Sequence, residues 1–448
     1  MNLIYGIKDK PKFGQMLVFA FQQVLAILAA TIVVPVIVGN GMDQSAALLG
    51  AGIGTLVYQL FTKFRSPVFL GSSFAFIGPM AAAFGGAVVG GEACQALGYA
   101  GLILGAAFAA LVYVIIAAVV KFAGVKWINK LMPPVVIGPT VALIGLSLAG
   151  AAVNDVFSYG AKVDFGTSSY FIMDAAAWAS VACALVTLLV VVLISTYGKK
   201  MFKLIPFIIG ILAGYAVATI FTLCGIPVID FSVFKGLEIF SVPDFTFLKA
   251  ADGVKSIDLG YVVTVLAAYV PVAFVVFAEH IADHKNLSSI IGQDLLEEPG
   301  LHRTLLGDGV GSLAGAIFGG CPNTTYGESV GCVAITRNAS IVTITTAAVM
   351  CILISFFGPF VAFLDSIPGC VMGGVCITLY GFIACSGLKM IQKVDLNQSK
   401  NLFVVAAILI PGIGGMAMNV GKVYISNIAC ALILGIVVNL LLSKAKEE

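Results

Sequence analysis

The sequence predicts an all-α polytopic membrane protein with fourteen transmembrane segments, and composition, segment length and charge distribution support this. Of the 448 residues, 60% are hydrophobic and only 10% are charged, and the mean hydropathy is +1.08. A soluble protein has about 25% charged residues, and a soluble chain of this size could not bury so much apolar surface. The lipid bilayer is therefore the expected surrounding. The basic residues lie between the apolar runs and form no patch, so no nucleic-acid partner is expected.

Apolar segments of spanning length recur along the whole chain. A helix that crosses a bilayer needs about 20 apolar residues. Three of the segments are short for a full span and are interrupted by glycine or proline. The fourteen segments cover residues 14–39, 46–62, 67–86, 97–120, 133–153, 175–197, 203–223, 261–283, 303–319, 321–336, 340–364, 368–388, 400–420 and 424–443.

The lysines and arginines test this count through the positive-inside rule. Fourteen spans place both termini on one side of the membrane. If that side is the cytoplasm, the inner connections hold 19 of the 24 basic residues and the outer connections hold 5. One missed span would disturb this pattern. We therefore expect a multi-pass protein of the cell membrane with both termini in the cytoplasm.

Two weak echoes indicate an internal repeat. Residues 71–74 (GSSF) in segment three resemble residues 323–326 (NTTY) in segment ten, and the PxxVxG pattern that begins at Pro133 in segment five recurs at Pro368 in segment twelve. Each pair lies seven segments apart, and seven is odd, so the two halves would have opposite orientations. Interrupted segments at corresponding positions of two inverted halves point to the midplane site of a transporter.

Residues 319–337 (GGCPNTTYGESVGCVAITR) form a polar, glycine-rich interruption between two apolar runs. Backbone that is not continuous helix is tolerated at membrane depth only where it is buried in protein or lines a cavity. If this stretch lies within the membrane, it is a candidate site. It contains one carboxylate, Glu328.

Acidic side chains inside the apolar segments are the strongest chemical signal. Glu279 and Asp283 are spaced i, i+4 and share one helix face, and Glu328 lies in segment ten. A charge at the bilayer centre costs roughly 2.5–3.5 kcal/mol, and the spans offer no lysine or arginine as a partner. These acids therefore need a water-filled cavity, a bound partner or a proton. The alternative is that Glu279 and Asp283 are solvated at the cytoplasmic boundary, since Lys285 follows.

Other polar residues in the spans have less specific interpretations. Gln23 could bond to another helix or face the site, and His280 is expected to be a hydrogen-bonded packing residue. Asp308 is expected near the cytoplasmic start of segment nine. The ten cysteines include no CxxC and no Cys/His ligand spacing, so we expect small buried residues, no metal and no cofactor.

Several of these residues belong to longer motifs that resemble a known family. AEH at 278–280 and PNTTYGE at 322–328 closely resemble the nucleobase–cation symporter family (nucleobase/ascorbate transporters), in its bacterial uracil permease branch. The resemblance covers essentially the whole chain. Supporting matches are QQVLAILAATIVVP at 22–35, LGSSFAFIGPM at 70–80, DLLEEPGLHRTLLGDG at 294–309, AITR at 334–337 and PGCVMGGVCITLYG at 368–381.

The resemblance implies a fold of two inverted seven-segment repeats with a core domain and a gate domain. The core domain would comprise residues 14–121 and 261–364, and the gate domain residues 133–223 and 368–443. Segments three and ten would each include a short extended stretch, and the two stretches would pair beside the site. Family members often form homodimers through the gate domain, so a homodimer is an expectation.

The resemblance also implies roles for individual residues. Glu279 and Glu328 correspond to the carboxyls that hold the nucleobase, and Glu279 and Asp283 occupy the positions associated with proton coupling. Two positions depart from the family pattern: Asp283 stands where some members have histidine, and Ser329 stands where asparagine is usual. The remaining implied contacts are the backbone amides at Phe74 and Gly327 and the pocket residues Ala30, Tyr326 and Tyr380.

The expected function is proton-coupled import of uracil by alternating access, with H⁺ as the coupling ion and no enzymatic activity. Uracil offers two N–H donors, which suit carboxyls, and two carbonyls, which suit backbone N–H groups. Three alternatives remain open: a xanthine or other purine permease of the same fold, an anion transporter of similar architecture, and an intramembrane aspartyl enzyme using Asp283 and Asp308. Acids at the site disfavour an anionic substrate, and both aspartates look boundary-placed.

Overall fold

The computed structural model describes residues 3–124, 133–165, 168–199, 202–420 and 423–442. Residue 443 and six lysines used in the charge count, Lys126, Lys130, Lys200, Lys422, Lys444 and Lys446, lie outside these ranges. The α-helices are α1 (Phe13–Val38), α2 (Gln44–Phe61), α3 (Ile77–Gly85), α4 (Gln95–Ala123), α5 (Pro134–Ser147), α6 (Ala149–Val156), α7 (Ala175–Tyr197), α8 (Pro206–Leu223), α9 (Thr246–Ala250), α10 (Leu259–Ile291), α11 (Leu301–Gly319), α12 (Gly327–Thr336), α13 (Ile341–Ser355), α14 (Gly358–Asp365), α15 (Gly369–Ile391), α16 (Ser399–Ile413) and α17 (Asn427–Leu442).

Short β-strands interrupt this helical chain and form two-stranded antiparallel pairs. In the described ranges β1 pairs with β6, β2 with β3, β4 with β5, and β7 with β8. Only the first pair joins distant parts of the chain. The strands are β1 (Leu70–Ser72), β2 (Val88–Val89), β3 (Glu92–Ala93), β4 (Ala161–Phe165), β5 (Ser168–Ile172), β6 (Asn323–Thr325), β7 (Met418–Val420) and β8 (Val423–Ile425).

Seven helical spans among the described residues are long and apolar enough to cross a membrane. A polytopic membrane protein is thereby confirmed, whereas the count of fourteen crossings and the inverted repeat stay predictions. Shorter apolar helices cover residues 74–85, 341–355, 399–413 and 427–442. The seven spans are Phe13–Val38, Gln95–Phe122, Pro134–Val156, Ala175–Tyr197, Pro206–Leu223, Leu259–Ile291 and Gly369–Ile391.

Local capping explains where several of these helices begin. Asp43 precedes α2, and its carboxylate accepts a hydrogen bond from the Ser45 N–H at 2.7 Å. Asp258 does the same for α10, accepting from the Tyr261 N–H at 2.7 Å. A carboxylate at this position satisfies a backbone donor that the first helical turn leaves unpaired.

Helix α10 extends beyond the apolar segment 261–283 by two further turns. It ends at Gly292, whose φ of 75° suits a glycine cap and whose N–H donates to the Ser288 carbonyl at 2.9 Å. Asp283 therefore lies inside a helix rather than at its end.

The chain divides into two compact units. The first comprises Met1–Ile144, Val242–Ser355 and Ile383–Glu448. Its centre is the packing of α2 against α11, where both backbones carry glycines four residues apart. A Cβ at Gly50 would lie 2.6 Å from the Gly315 carbonyl, and one at Gly54 would lie 2.7 Å from the Gly311 carbonyl. Small residues at this spacing let helices approach closely within a membrane.

The second unit comprises Gly145–Ser241 and Phe356–Phe382. It is built on the packing of α7 against α8 and on the hairpin β4–β5. The Tyr159 hydroxyl donates to the Val228 carbonyl at 2.7 Å and fixes the connection after α8. The predicted core and gate domains follow a different division of the chain and stay a prediction.

Candidate functional site

Two short strands meet at the polar interruption that the sequence singled out. β1 and β6 run antiparallel, with Leu70 opposite Thr325 and Ser72 opposite Asn323. The extended stretches predicted in segments three and ten therefore do pair. Each strand is followed by a helix, α3 after β1 and α12 after β6. Two helix N-termini, with their unpaired N–H groups and positive dipole ends, thus begin beside the strand pair.

The local sequence explains why these stretches are extended. Gly320 ends α11 with a φ of 76°, and Pro322 has no N–H with which to continue a helix. The Pro322 carbonyl accepts from the Ser73 N–H at 2.9 Å. The Asn323 side chain donates to the Gly50 carbonyl at 2.9 Å and anchors β6 to α2. The strand pair is therefore fixed to the most closely packed part of the first unit.

Three carboxyls converge on this strand pair from two helices. Glu279 and Asp283 lie on one face of α10, and Glu328 lies in the first turn of α12. Asp283 accepts a hydrogen bond from the Thr325 hydroxyl of β6 at 2.7 Å. Glu279 is exposed, and Asp283 and Glu328 are half-buried. Within the described residues, neither glutamate carboxyl bonds to another residue, so both are free to bind a ligand.

The two predicted backbone contacts lie where the helices begin. Phe74 opens a 3₁₀ turn that leads into α3, and its side chain is half-buried. Gly327 is the first residue of α12 and is exposed. A Cβ built on Gly327 would lie 3.9 Å from an Asp283 carboxylate oxygen, so the backbone here approaches α10. The missing side chain leaves the backbone accessible.

The predicted pocket residues are less accessible. Tyr326 is buried, and its hydroxyl donates to the Ser72 carbonyl at 2.7 Å, so it ties the two strands together. Ala30 is buried within α1. Tyr380 lies in α15, in the second unit, and is also buried. Their roles as pocket residues stay predictions.

Gln23 bonds to another helix, the commoner of its two predicted roles. Its side-chain amide donates to the Ser329 hydroxyl and, at 3.4 Å, to the Ser329 carbonyl. The Ser329 hydroxyl also accepts from the Phe69 N–H at 3.2 Å. Ser329, which stands where the family usually has asparagine, thus connects α12 to α1 and to Phe69, the residue before β1. Sequence reasoning missed this junction, although Ser329 adjoins Glu328.

A buried histidine–aspartate pair lies one residue from Glu279. His280 Nδ1 is 2.7 Å from the Asp308 carboxylate, and Nε2 is 3.0 Å from the Thr304 hydroxyl. His280 is therefore the hydrogen-bonded packing residue that the sequence predicted. Asp308 is fully buried in α11, and its position near the cytoplasmic start of segment nine stays a prediction. The partner of Asp308 is the imidazole of His280. The sequence reasoning looked only for lysine and arginine as partners and so missed it.

A second buried histidine extends this polar cluster. His284 Nδ1–H donates to the His280 carbonyl at 2.8 Å, and its ring stacks on that of His280 with centroids 4.0 Å apart. Because Nδ1 is the donor, the neutral ring presents Nε2 as an acceptor, 2.7 Å from the Tyr58 hydroxyl. These contacts join α10 to α2. Among the described residues no group of three or more His, Cys, Asp or Glu is arranged to hold a metal ion.

Comparison with known proteins gives matches over nearly the full length. Residues 14–421 match a family described as "Permease family". The uracil permease of Bacillus caldolyticus is 38% identical over 442 residues, which cover 98% of this chain and 94% of that protein. The uracil permease of Bacillus subtilis (strain 168) is 38% identical over 447 residues, covering 99% and 96%. The uracil permease of Escherichia coli (strain K12) is 34% identical over 438 residues, covering 97% and 93%.

Solved structures share the fold at low identity. The transmembrane domain of the cyanobacterium bicarbonate transporter BicA gives a TM-score of 0.60 at 14% identity, covering 97% of this chain and 99% of that chain. SLC26A9 gives a TM-score of 0.67 at 12% identity, covering 97% and 66%. At these identities the likeness concerns the fold alone.

Proposed function

Since this chain belongs to the permease family of nucleobase/ascorbate transporters, we propose that it imports uracil across the cell membrane. The family resemblance drawn from the motifs is confirmed, and the chain is a membrane transporter rather than an enzyme. Three relatives named uracil permease, each aligned over more than nine-tenths of both chains, support uracil rather than a purine as the substrate.

The chemical support for the proposal is one observation. The carboxyls of Glu279 and Glu328 have no partner among the described residues. They flank the strand pair β1–β6, after which two helices begin. The carboxyls suit the two N–H groups of uracil. The backbone at Phe74 and Gly327 lies where helices begin, and the positive end of a helix dipole attracts electron-rich atoms such as the uracil carbonyls.

We further propose that transport is coupled to protons through Glu279 and Asp283. Asp283 contacts β6 through Thr325, so a change in its charge would be felt by the strand pair. A proton on either acid removes a charge that is costly at membrane depth. This would permit the proposed core domain to move against the proposed gate domain in a fold of fourteen segments and two inverted repeats, with both termini cytoplasmic and the gate domains forming a homodimer.

Uptake of labelled uracil by cells that lack their own uracil transport tests the proposal. We expect saturable accumulation that excess unlabelled uracil abolishes, that xanthine leaves unchanged and that a protonophore stops. Vector-only cells are the control. Competition by xanthine without competition by uracil would overturn the substrate assignment, and accumulation that survives the protonophore would overturn proton coupling. Sulfate or bicarbonate flux in place of uracil uptake would favour an anion transporter.

A further inference from the structure

A cavity of about 470 Å³ lies between the N-terminal segment and the first half of α1, remote in sequence from the carboxyls of the proposed uracil site. This volume is in the range of small-molecule sites. It is lined mainly by apolar surface, with two side-chain amides, those of Gln15 and Gln22. The other residues that shape it are Ile4, Tyr5, Gly14, Val18 and Phe19.

The N-terminal wall of this cavity is fixed in place. We call residues 3–9 the N-terminal strap. Its backbone pairs with the connection after α12: the Ile4 N–H donates to the Arg337 carbonyl at 2.8 Å, and the Ala339 N–H donates to the Tyr5 carbonyl at 2.9 Å. The Tyr5 hydroxyl then crosses to α1 and donates to Gln15 at 2.7 Å. The cavity is therefore a built feature with two ordered walls.

An unsatisfied amide lies on the helix wall of the cavity. Gln22 is 94% buried, since its relative exposure is 6%. Its side-chain oxygen has no hydrogen-bond partner, and its side chain makes no hydrogen bond to any described residue. A buried polar group left unpaired costs about 1–3 kcal/mol. A ligand with its own polar atoms would remove this cost.

Basic residues surround the N-terminal end of α1, which the charge distribution predicts to lie on the cytoplasmic side. The connection between the two walls carries Lys8, Lys10 and Lys12, all exposed and none in an ion pair with a described residue. The acid among them, Asp9, accepts from the Gly6 N–H at 2.7 Å. Arg337, which pairs with the N-terminal strap through its backbone, is also exposed. Basic clusters beside a membrane helix attract anionic lipids.

The rim of the cavity suits hydrocarbon. Ile4 is 60% exposed and Val18 is 57% exposed, and apolar side chains exposed beside a polar rim mark a lipid or ligand contact. Lys12 and Gln22 are ten residues apart, or about 15 Å along a helix. The Gln22 side chain points back toward the helix N-terminus, as helical side chains do. The Lys12 side chain can extend toward the cavity and the Gln22 side chain extends toward Lys12. One lipid headgroup with its glycerol could therefore contact both the ammonium and the amide.

We propose that this cavity binds one anionic glycerophospholipid. The lysines meet the phosphate, the Gln22 amide meets a glycerol ester carbonyl, and one acyl chain follows Val18 and Phe19 into the bilayer. This inference does not depend on the transported substrate, because none of these residues belongs to the proposed uracil site.

Native mass spectrometry of the purified chain with dioleoyl phosphatidylglycerol tests the proposal, with dioleoyl phosphatidylcholine as the neutral lipid. We expect one saturable phosphatidylglycerol, bound at least tenfold more tightly than phosphatidylcholine. The triple variant Lys8→Gln, Lys10→Gln, Lys12→Gln should weaken phosphatidylglycerol binding by on the order of a hundredfold. Its matched control, Lys63→Gln, Lys389→Gln, Lys393→Gln, removes the same charge elsewhere and should bind as the wild type does.

A second variant tests the cavity rather than the charge. A Cβ on Gly14 would meet no atom within 4 Å, so Gly14→Leu can fill the cavity without a clash and should abolish the saturable site. Gly150→Leu, also with nothing within 4 Å, is the control outside it. Uracil binding should persist in all four variants, which shows that they are folded. Unchanged lipid binding in either test variant, equal binding of the two lipids, or displacement of the lipid by glycerol 3-phosphate would overturn the proposal.

Discussion

The side-chain amide of Gln23 donates a hydrogen bond to the hydroxyl of Ser329, which lies directly after Glu328. The same hydroxyl accepts from the Phe69 N–H, one residue before β1. Both Gln23 and Ser329 are buried. The orientation of the first turn of α12, and with it the Glu328 carboxyl, is therefore coupled to α1 and to the strand pair through one serine.

Ser329→Ala should destabilise the protein and weaken uracil binding. The substitution leaves two buried donors, the Gln23 amide and the Phe69 N–H, without their acceptor, and each such loss costs about 1–3 kcal/mol. Thermal unfolding in detergent, with and without uracil, measures both effects. The double variant Gln23→Ala, Ser329→Ala should lose less stability than the sum of the losses in the two single variants, since they share one interaction. Additive losses would contradict the coupling.

The location of the carboxyls was predictable, but their partners were not. Glu279 and Asp283 share a face because four residues make about one helical turn, which the sequence alone determines. Ser329 is 306 residues from Gln23, and no local pattern encodes a contact at that distance. The same applies to Asp308, whose burial depends on His280 lying in a different helix.

For the fold, too, features set by neighbouring residues were predictable from the sequence, and contacts between distant residues were not. Apolar runs predicted most helices because burial in lipid requires them. The similarity between residues 71–74 and 323–326 indicated two interrupted segments, whereas the pairing of the two extended stretches came from the family resemblance and is present as β1 and β6. The apolar run of segment eight could not show how far α10 extends, because its last two turns contain polar residues that are bonded within the protein.

Glu279→Gln should abolish concentrative uracil uptake. The amide keeps the size of the side chain but loses the acid that we propose both binds an N–H group and takes up a proton. Initial rates of labelled uracil uptake, corrected for the amount of protein in the membrane, should fall at least tenfold. Glu92→Gln, at an exposed strand position, is the matched control and should transport normally. Normal uptake by Glu279→Gln would remove this residue from the site.

Asp283→Asn should separate exchange from accumulation. Asparagine retains an oxygen that can accept the Thr325 hydroxyl, which now lies 2.7 Å from the carboxylate, but it cannot release a proton. In proteoliposomes we expect uracil counterflow to continue while accumulation driven by a pH gradient is lost. Thr325→Val removes the hydrogen bond and keeps the acid, so it should retain gradient-driven accumulation. Accumulation by Asp283→Asn at the wild-type level would exclude this aspartate from coupling.

Glu328→Ala should weaken uracil binding by about ten- to a hundredfold. A hydrogen bond to a charged group contributes about 1.5–3 kcal/mol, and each 1.4 kcal/mol is a factor of ten in affinity. Isothermal titration calorimetry of the purified protein measures the dissociation constant. Glu298→Ala is the comparison, because Glu298 is exposed and pairs with Arg65 on the surface, and its affinity should not change. Equal affinities for the two variants would count against Glu328 as a ligand.

Gly71→Ala should disturb the strand pair through a single methyl group. A Cβ at Gly71 would lie 2.5 Å from the Cζ atom of Tyr326, closer than real Cβ atoms approach. The ring cannot simply turn aside, because its hydroxyl is bonded to the Ser72 carbonyl and the residue is buried. Overpacking of this kind costs about 1–3 kcal/mol.

The loss in Gly71→Ala should appear both in thermal stability and in uracil affinity, since the strand pair holds the start of α12. Gly78→Ala is the matched control seven residues away, where the new Cβ would make an ordinary 3.4 Å contact with Ile428. Because alanine is favoured over glycine inside a helix by about 0.5–1 kcal/mol, this control should be neutral or stabilising. If both alanines behave alike, the close approach of Gly71 to Tyr326 has no energetic consequence, and the strand pair tolerates more movement than its register implies.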